Sequence, residues 1–109
     1  MDIINEKSSY IVTATFKNED GSPITPSSGS YNIYDEFSGT QIKGDTAFTP
    51  SSSTFDIVID PNDNRILDAA KSEEVRVVTV SFAYGGSRQG SGEYRYKVTH
   101  ADVQVAQNR

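Results

Sequence analysis

The sequence predicts an all-β fold: an antiparallel β-sandwich of about seven short strands, with one short helix at residues 61–72 between the fifth and sixth. Three observations predict it. Apolar residues recur at every second position in several short runs. Turn signals built from Gly, Pro, Asn and Asp separate those runs at intervals of about 8 to 12 residues. A chain of 109 residues, 35% of them apolar and with a mean hydropathy of -0.52, supports one core surrounded by polar turns, so residues 1–109 are read as a single domain.

Residues 9–17, SYIVTATFK, place Tyr10, Val12, Ala14 and Phe16 on one face and Ser9, Thr13, Thr15 and Lys17 on the other, with Ile11 the exception. The run ends at NEDGSP, where Asp20-Gly21 supplies a turn and Pro23 cannot donate to a ladder. A second strand at 30–35 carries Tyr31 and Ile33 on one side, and Glu36-Phe37-Ser38-Gly39 forms the next turn. Residues 40–42 are expected as a short third strand and 46–49 as an edge strand within an aperiodic stretch rich in Gly, Pro and Ser. Residues 54–60, TFDIVID, alternate Phe55, Ile57 and Ile59 with Asp56, Val58 and Asp60.

Asp60-Pro61 has the form of a helix start, because an Asp N-cap accepts backbone N–H bonds and Pro at the first helical position gives up none that matter. Ile66, Leu67 and Ala70 would share the inner face of the resulting helix. Residues 75–84, VRVVTVSFAY, are β-branched or aromatic almost throughout and apolar on both faces, which predicts a central strand. GGSRQGSG at 85–92 is expected as a flexible connector. The chain returns through 93–100, EYRYKVTH, with Tyr94, Tyr96 and Val98 opposite Arg95, Lys97 and Thr99, closing a long C-terminal hairpin. The tail 101–109 contains Val103 and Val105 and either prolongs the last strand or docks elsewhere.

Composition excludes much chemistry. The absence of cysteine removes disulfides, thiolate metal sites and Cys nucleophiles. The start of the chain has acids at Asp2 and Glu6 and no basic residue ahead of an apolar run, so it does not read as a signal peptide. No segment approaches the roughly 20 apolar residues of a membrane span. Net charge is -5, unevenly placed: residues 1–74 hold thirteen acids and five bases, and residues 75–109 hold two acids and five bases. An acidic surface argues against nucleic acid, while the split suits contact between copies or with a charged partner. Solvated surface charge is the plainer alternative.

His100 is the single histidine, and no Gly-x-Ser-x-Gly elbow accompanies it, so neither a Ser-His-Asp triad nor a zinc site is expected. Asp60-Pro61-Asn62-Asp63-Asn64 has the acids of a calcium loop, but Arg65 and Lys71 occupy the positions where Gly and Glu are required, and helix capping accounts for the acids better. Asp35, Glu36, Asp56 and Asp60 offer carboxylate pairs without an evident cleft for glycoside hydrolysis. The glycines of 85–92 lie between two strands and lack the following helix that would hold a phosphate. No cofactor or catalytic residue is expected. Arg88, Gln89, Tyr94, Arg95, Tyr96 and Lys97 have the aromatic and basic mixture of interface hot spots and form the candidate binding surface, although alternating tyrosines are commonly core.

The order YIVTATF with NEDGSPI, then TFDIVIDPNDNRIL, then RVVTVSFAYGG and GEYRYKV resembles the immunoglobulin-like β-sandwich proteins and domains of tailed-bacteriophage virions. A small β-barrel is the runner-up fold, and the Cys-Trp-Cys hallmark of antibody domains is missing. The resemblance implies a non-catalytic structural or accessory protein of a phage head, neck, tail or baseplate. Such a protein assembles in the host cytoplasm, is oligomeric in the assembly, and has as its partners copies of itself or capsid or tail proteins. The alternative is a carbohydrate- or cell-surface-binding module in which exposed tyrosines such as Tyr34 and Tyr94 stack on sugars.

Overall fold

The computed structural model describes residues 1–68 and 70–99. The described residues fold as seven strands: β1 (Asp2–Asn5), β2 (Tyr10–Thr15), β3 (Ser28–Asp35), β4 (Gln41–Phe48), β5 (Thr54–Ile59), β6 (Glu73–Tyr84) and β7 (Arg88–Thr99). One sheet has the order β1-β7-β6-β3-β4 and the other pairs β2 with β5. This is the expected all-β sandwich, immunoglobulin-like in its two layers and seven strands, with a single helical turn, Pro61–Asn64, between β5 and β6.

Alternation builds the core as the sequence predicts. Val12, Ile57 and Ile59 of the small sheet face Tyr31, Ile33, Val78, Tyr96 and Val98 of the large one, all buried. Burying each such aliphatic side chain contributes on the order of 1.5 to 3 kcal/mol. Ring contacts join the layers: Phe55 of β5 stacks on Phe48 of β4 with centroids 4.3 Å apart, and Tyr10 of β2 lies tilted against Tyr96 of β7 at 4.7 Å. Thus β5 sits over the β4 side and β2 over the β7 side. Ile11, the exception in the β2 alternation, pairs with Val58 on the outer surface, and both are more than half exposed.

Five expectations are corrected. First, β1 was not anticipated. It pairs parallel to Tyr96–Thr99, which makes the large sheet mixed, and four residues are too few to show a period. After it the chain turns at Lys7, whose φ of 60° lies in the left-handed region, and crosses to the second layer. Second, the strands expected at 40–42 and 46–49 are one strand, β4, whose register shifts against β3 between Tyr31 and Tyr34.

Third, the helix expected over 61–72 is only the four-residue 3₁₀ turn. Much of the backbone beyond it bonds to β6 side chains: Leu67 and Asp68 N–H donate to the Glu74 carboxylate, and the Arg65 carbonyl accepts from Arg76 Nη2, while the Lys71 N–H closes a local turn on the Asp68 carbonyl. Of its expected inner face only Ile66 packs on the core, while Leu67 and Ala70 are exposed. Fourth, Asp60 stands at the N-cap but makes no side-chain capping bond.

Fifth, 85–92 is not a flexible connector. Gly85 and Gly86, at φ 56° and 82°, turn the chain with Ser87, and Arg88 already pairs with Tyr84. His100 and the tail 101–109 lie outside the described residues.

Candidate interaction surface

Alternation along β7 distributes the predicted surface residues over two faces. Arg95 and Lys97 lie on the outer face of the large sheet, where they pair with Glu36 and Glu93, and with Glu73. Arg88 reaches Glu19 in the β2–β3 loop at 3.0 Å, and Tyr84 O–H donates to the same carboxylate. Gln89 is exposed beside them. The structure therefore brings Arg88 and Gln89 together near the hairpin tip, but separates them from Arg95 and Lys97.

The two tyrosines point inward. Tyr96 is fully buried, and its O–H donates to Asn64 Oδ1 at 2.6 Å. Burial pushes this hydroxyl well above the ordinary tyrosine range. It is a core residue of this chain. Tyr94, 36% exposed, sits at the sandwich margin, where its hydroxyl and that of Tyr10 are 2.8 Å apart and both donate to Asp2. The bond from Tyr10, and then that from Tyr94, holds the Asp2 carboxyl below its usual value. Burial, and then the bond to Asp2, raises the Tyr10 hydroxyl. The trio fastens β1 to the β2–β7 margin.

Two polar centres were not anticipated. Asn64, fully buried, donates through Nδ2 to the Ser8 carbonyl, while its own carbonyl accepts from Lys7 N–H, so it fixes the β1–β2 corner. Arg76 lies buried between Asp35 and Glu74, at 2.9 Å from each. Burial alone would raise the Asp35 carboxyl, but bonds from the Ser38 N–H and hydroxyl, with Arg76 and Lys71 nearby, outweigh it and hold it below the ordinary aspartate value. An Arg at alternate register with Val78 and Val80 was the available signal that a cation enters the core.

Between the tip and the tyrosine trio the sandwich is open. β1 covers the outer edge of β7 only from Tyr96 to Thr99, so among the described residues Arg88 to Arg95 have a strand partner on the β6 side alone. The facing margin of β2 likewise has no strand beside it among the described residues. A hollow of about 390 Å³ lies between the two edges, lined by Val12, Ala14, Phe16, Val80, Phe82 and Tyr94 among others. Thr13, Thr15, Ser91 and Glu93 also reach it, although they alternate with the inward residues, so it opens between strand edges and not over one sheet face.

Among the described residues no group of three or more His, Cys, Asp or Glu side chains is placed to hold a metal ion, the 60–64 loop included. None of their helices is long and apolar enough to cross a membrane. Comparison of the chain with known protein families, with curated proteins and with solved structures gave no match in any of the three.

Proposed function

We propose that this chain is a non-catalytic module that binds neighbouring protein subunits in a larger assembly, in the manner of a structural or accessory virion protein. One observation carries the reading: the open side of the sandwich, where the unpartnered edge of β7 runs above an apolar hollow. An exposed strand edge offers main-chain donors and acceptors in a row and is a ready template for another chain. Natural sandwiches cover or blunt such edges, and here β1 covers only the lower third of the strand. The virion setting is supported by the resemblance in sequence alone.

The glycan-binding alternative rests on exposed tyrosines such as Tyr34 and Tyr94, and these two lie on different faces. Tyr34 aligns with Val77 and sends its hydroxyl toward Glu93 on the outer face, whereas Tyr94 aligns with Val78 and joins Tyr10 on the inner side. One sugar cannot stack on both.

The test is the size of the native protein in the extract of its own source, measured by sedimentation before and after mild dissociation. Incorporation into a defined complex that releases the chain on dissociation is the expected result. A chain that sediments as a free monomer throughout overturns the reading.

A further inference from the structure

One glycine, Gly92, lines the hollow, and a second, Gly90, is covered by the Phe82 ring that also lines it. Gly90 and Gly92 occupy successive inward positions of β7, above Tyr94 and Tyr96 in the same row of alternate residues. The Phe82 ring lies over Gly90, where a Cβ would come within 2.5 Å of it. At Gly92 a Cβ would meet no heavy atom within 4 Å, so an unfilled position remains between Val80, Tyr94 and the β2 side chains Val12 and Ala14.

We infer that this edge accepts residues 101–109 of a second copy as an added strand, with Val103 or Val105 seated over Gly92, so that copies join head to tail. The inference rests on the assembly reading and names its partner. The segment has the required pattern, Ala101, Val103 and Val105 alternating with Asp102 and Gln104. Its reach also fits: from Asp102 to Arg109 an extended chain spans about 23 Å, and from Arg88 to Tyr94 the edge runs about 20 Å. Charges agree as well, since Asp102 and Arg109 stand at opposite ends of the segment, while Lys17 lines the hollow near one end and Asp2 holds Tyr94 at the other.

The same molecule cannot easily supply the strand. β7 ends at Thr99, at the far end from the hollow, and β1 occupies the intervening edge. Returning past Tyr94 consumes about 17 Å of chain before pairing can begin, which leaves too few residues to cover the edge. A second copy has no such detour.

The experiment uses three forms of the full protein in sedimentation velocity over a wide range of concentration: the native chain, Gly92→Ile, and Val103→Asp combined with Val105→Asp. The first change fills the hollow at a position with room for a side chain, and the second leaves every described residue untouched. The native chain is expected to form concentration-dependent oligomers and each variant alone to be monomeric. A mixture of the two variants is expected to form dimers and nothing larger, because one retains only a working edge and the other only a working segment.

Should Gly92→Ile unfold, binding of a synthetic 101–109 peptide to the tail variant, competed by native protein, replaces it. Oligomers unaffected by either change overturn the inference and leave the assembly reading standing. A native chain that is monomeric throughout, with no peptide binding, overturns it too. Failure of the assembly reading is seen separately, as a free monomer in the native extract.

Discussion

The two ends of β7 are built from one alternating pattern and finish in opposite states. From Tyr96 to Thr99 the strand lies between β6 and β1, and its inward side chains, Tyr96 and Val98, are fully buried. From Arg88 to Arg95 it has β6 alone, and two of its inward positions are glycines. The lower end spends its side chains on the core. The upper end presents backbone over an apolar hollow. On the proposed reading, stability and recognition fall to different lengths of one strand, and substitutions should separate them.

The largest effect is expected at Arg76, beneath the lower end. Arg76→Ala leaves Asp35 and Glu74 facing each other in the interior without their shared cation, a loss on the order of 3 to 5 kcal/mol. Urea denaturation measures it directly. Combining Arg76→Met with Asp35→Asn should cost less than Arg76→Ala alone, because only one buried carboxylate, Glu74, then lacks the cation, and it keeps its bonds from the Leu67 and Asp68 N–H groups; a larger loss for the double variant would show that geometry, not charge, dominates.

The same cluster has a pH signature. The folded Asp35 carboxyl titrates below its unfolded value, so the native state binds fewer protons and is favoured wherever the carboxylate is ionised in both states. That contribution is complete above an unfolded value of about 3.9 and is lost as pH falls through the lower folded value. The stability gap between the native chain and Asp35→Asn should be constant near neutrality and narrow below about pH 4. A gap that is unchanged in acid would show that the ionised Asp35 carboxylate, held by the Ser38 bonds and then by Arg76, is not its source.

Tyr96→Phe comes next. It removes the donor to Asn64 Oδ1 and strands that oxygen in the interior, at about 1 to 3 kcal/mol. Because Asn64 also holds the β1–β2 corner, amide exchange should quicken in residues 2–8 before it does in β6. Uniform acceleration would mean that the corner is not an independent unit.

How legible these features were depends on range. Alternation is local, so the inward sets of β2, β3, β5 and β6 follow from adjacent letters, as does the turn at Gly39. The partner of a backbone group is not local. Residues 61–72 look helical because the Asp-Pro start is genuine, yet Glu74 and Arg76 take the carbonyl and N–H groups a helix would have used. GGSRQGSG looks like a loop because glycine has no strand preference of its own, yet pairing with Val80–Tyr84 and the Phe82 ring over Gly90 hold it in the sheet. The candidate surface was half legible for the same reason. Its residues share one hairpin in the sequence and in the structure, but whether a tyrosine faces in or out depends on which layer lies beneath it.

The smallest effect is expected at the tip. Arg88 and Glu19 are each about three-fifths exposed, and such pairs contribute from nothing to about 1 kcal/mol. Arg88→Ala should therefore lower stability by less than about 1 kcal/mol, and added salt should erase the difference. Deleting 86–90 is a different experiment from the one a flexible connector would allow, since it removes the first residues of β7 and their pairing with β6. A tip substitution that leaves the melting temperature unchanged but weakens assembly would put the working surface at the open end of β7. A loss at Arg88 comparable to that at Arg76 would instead show that the upper end is braced from the tip and that the two ends of the strand share one stability.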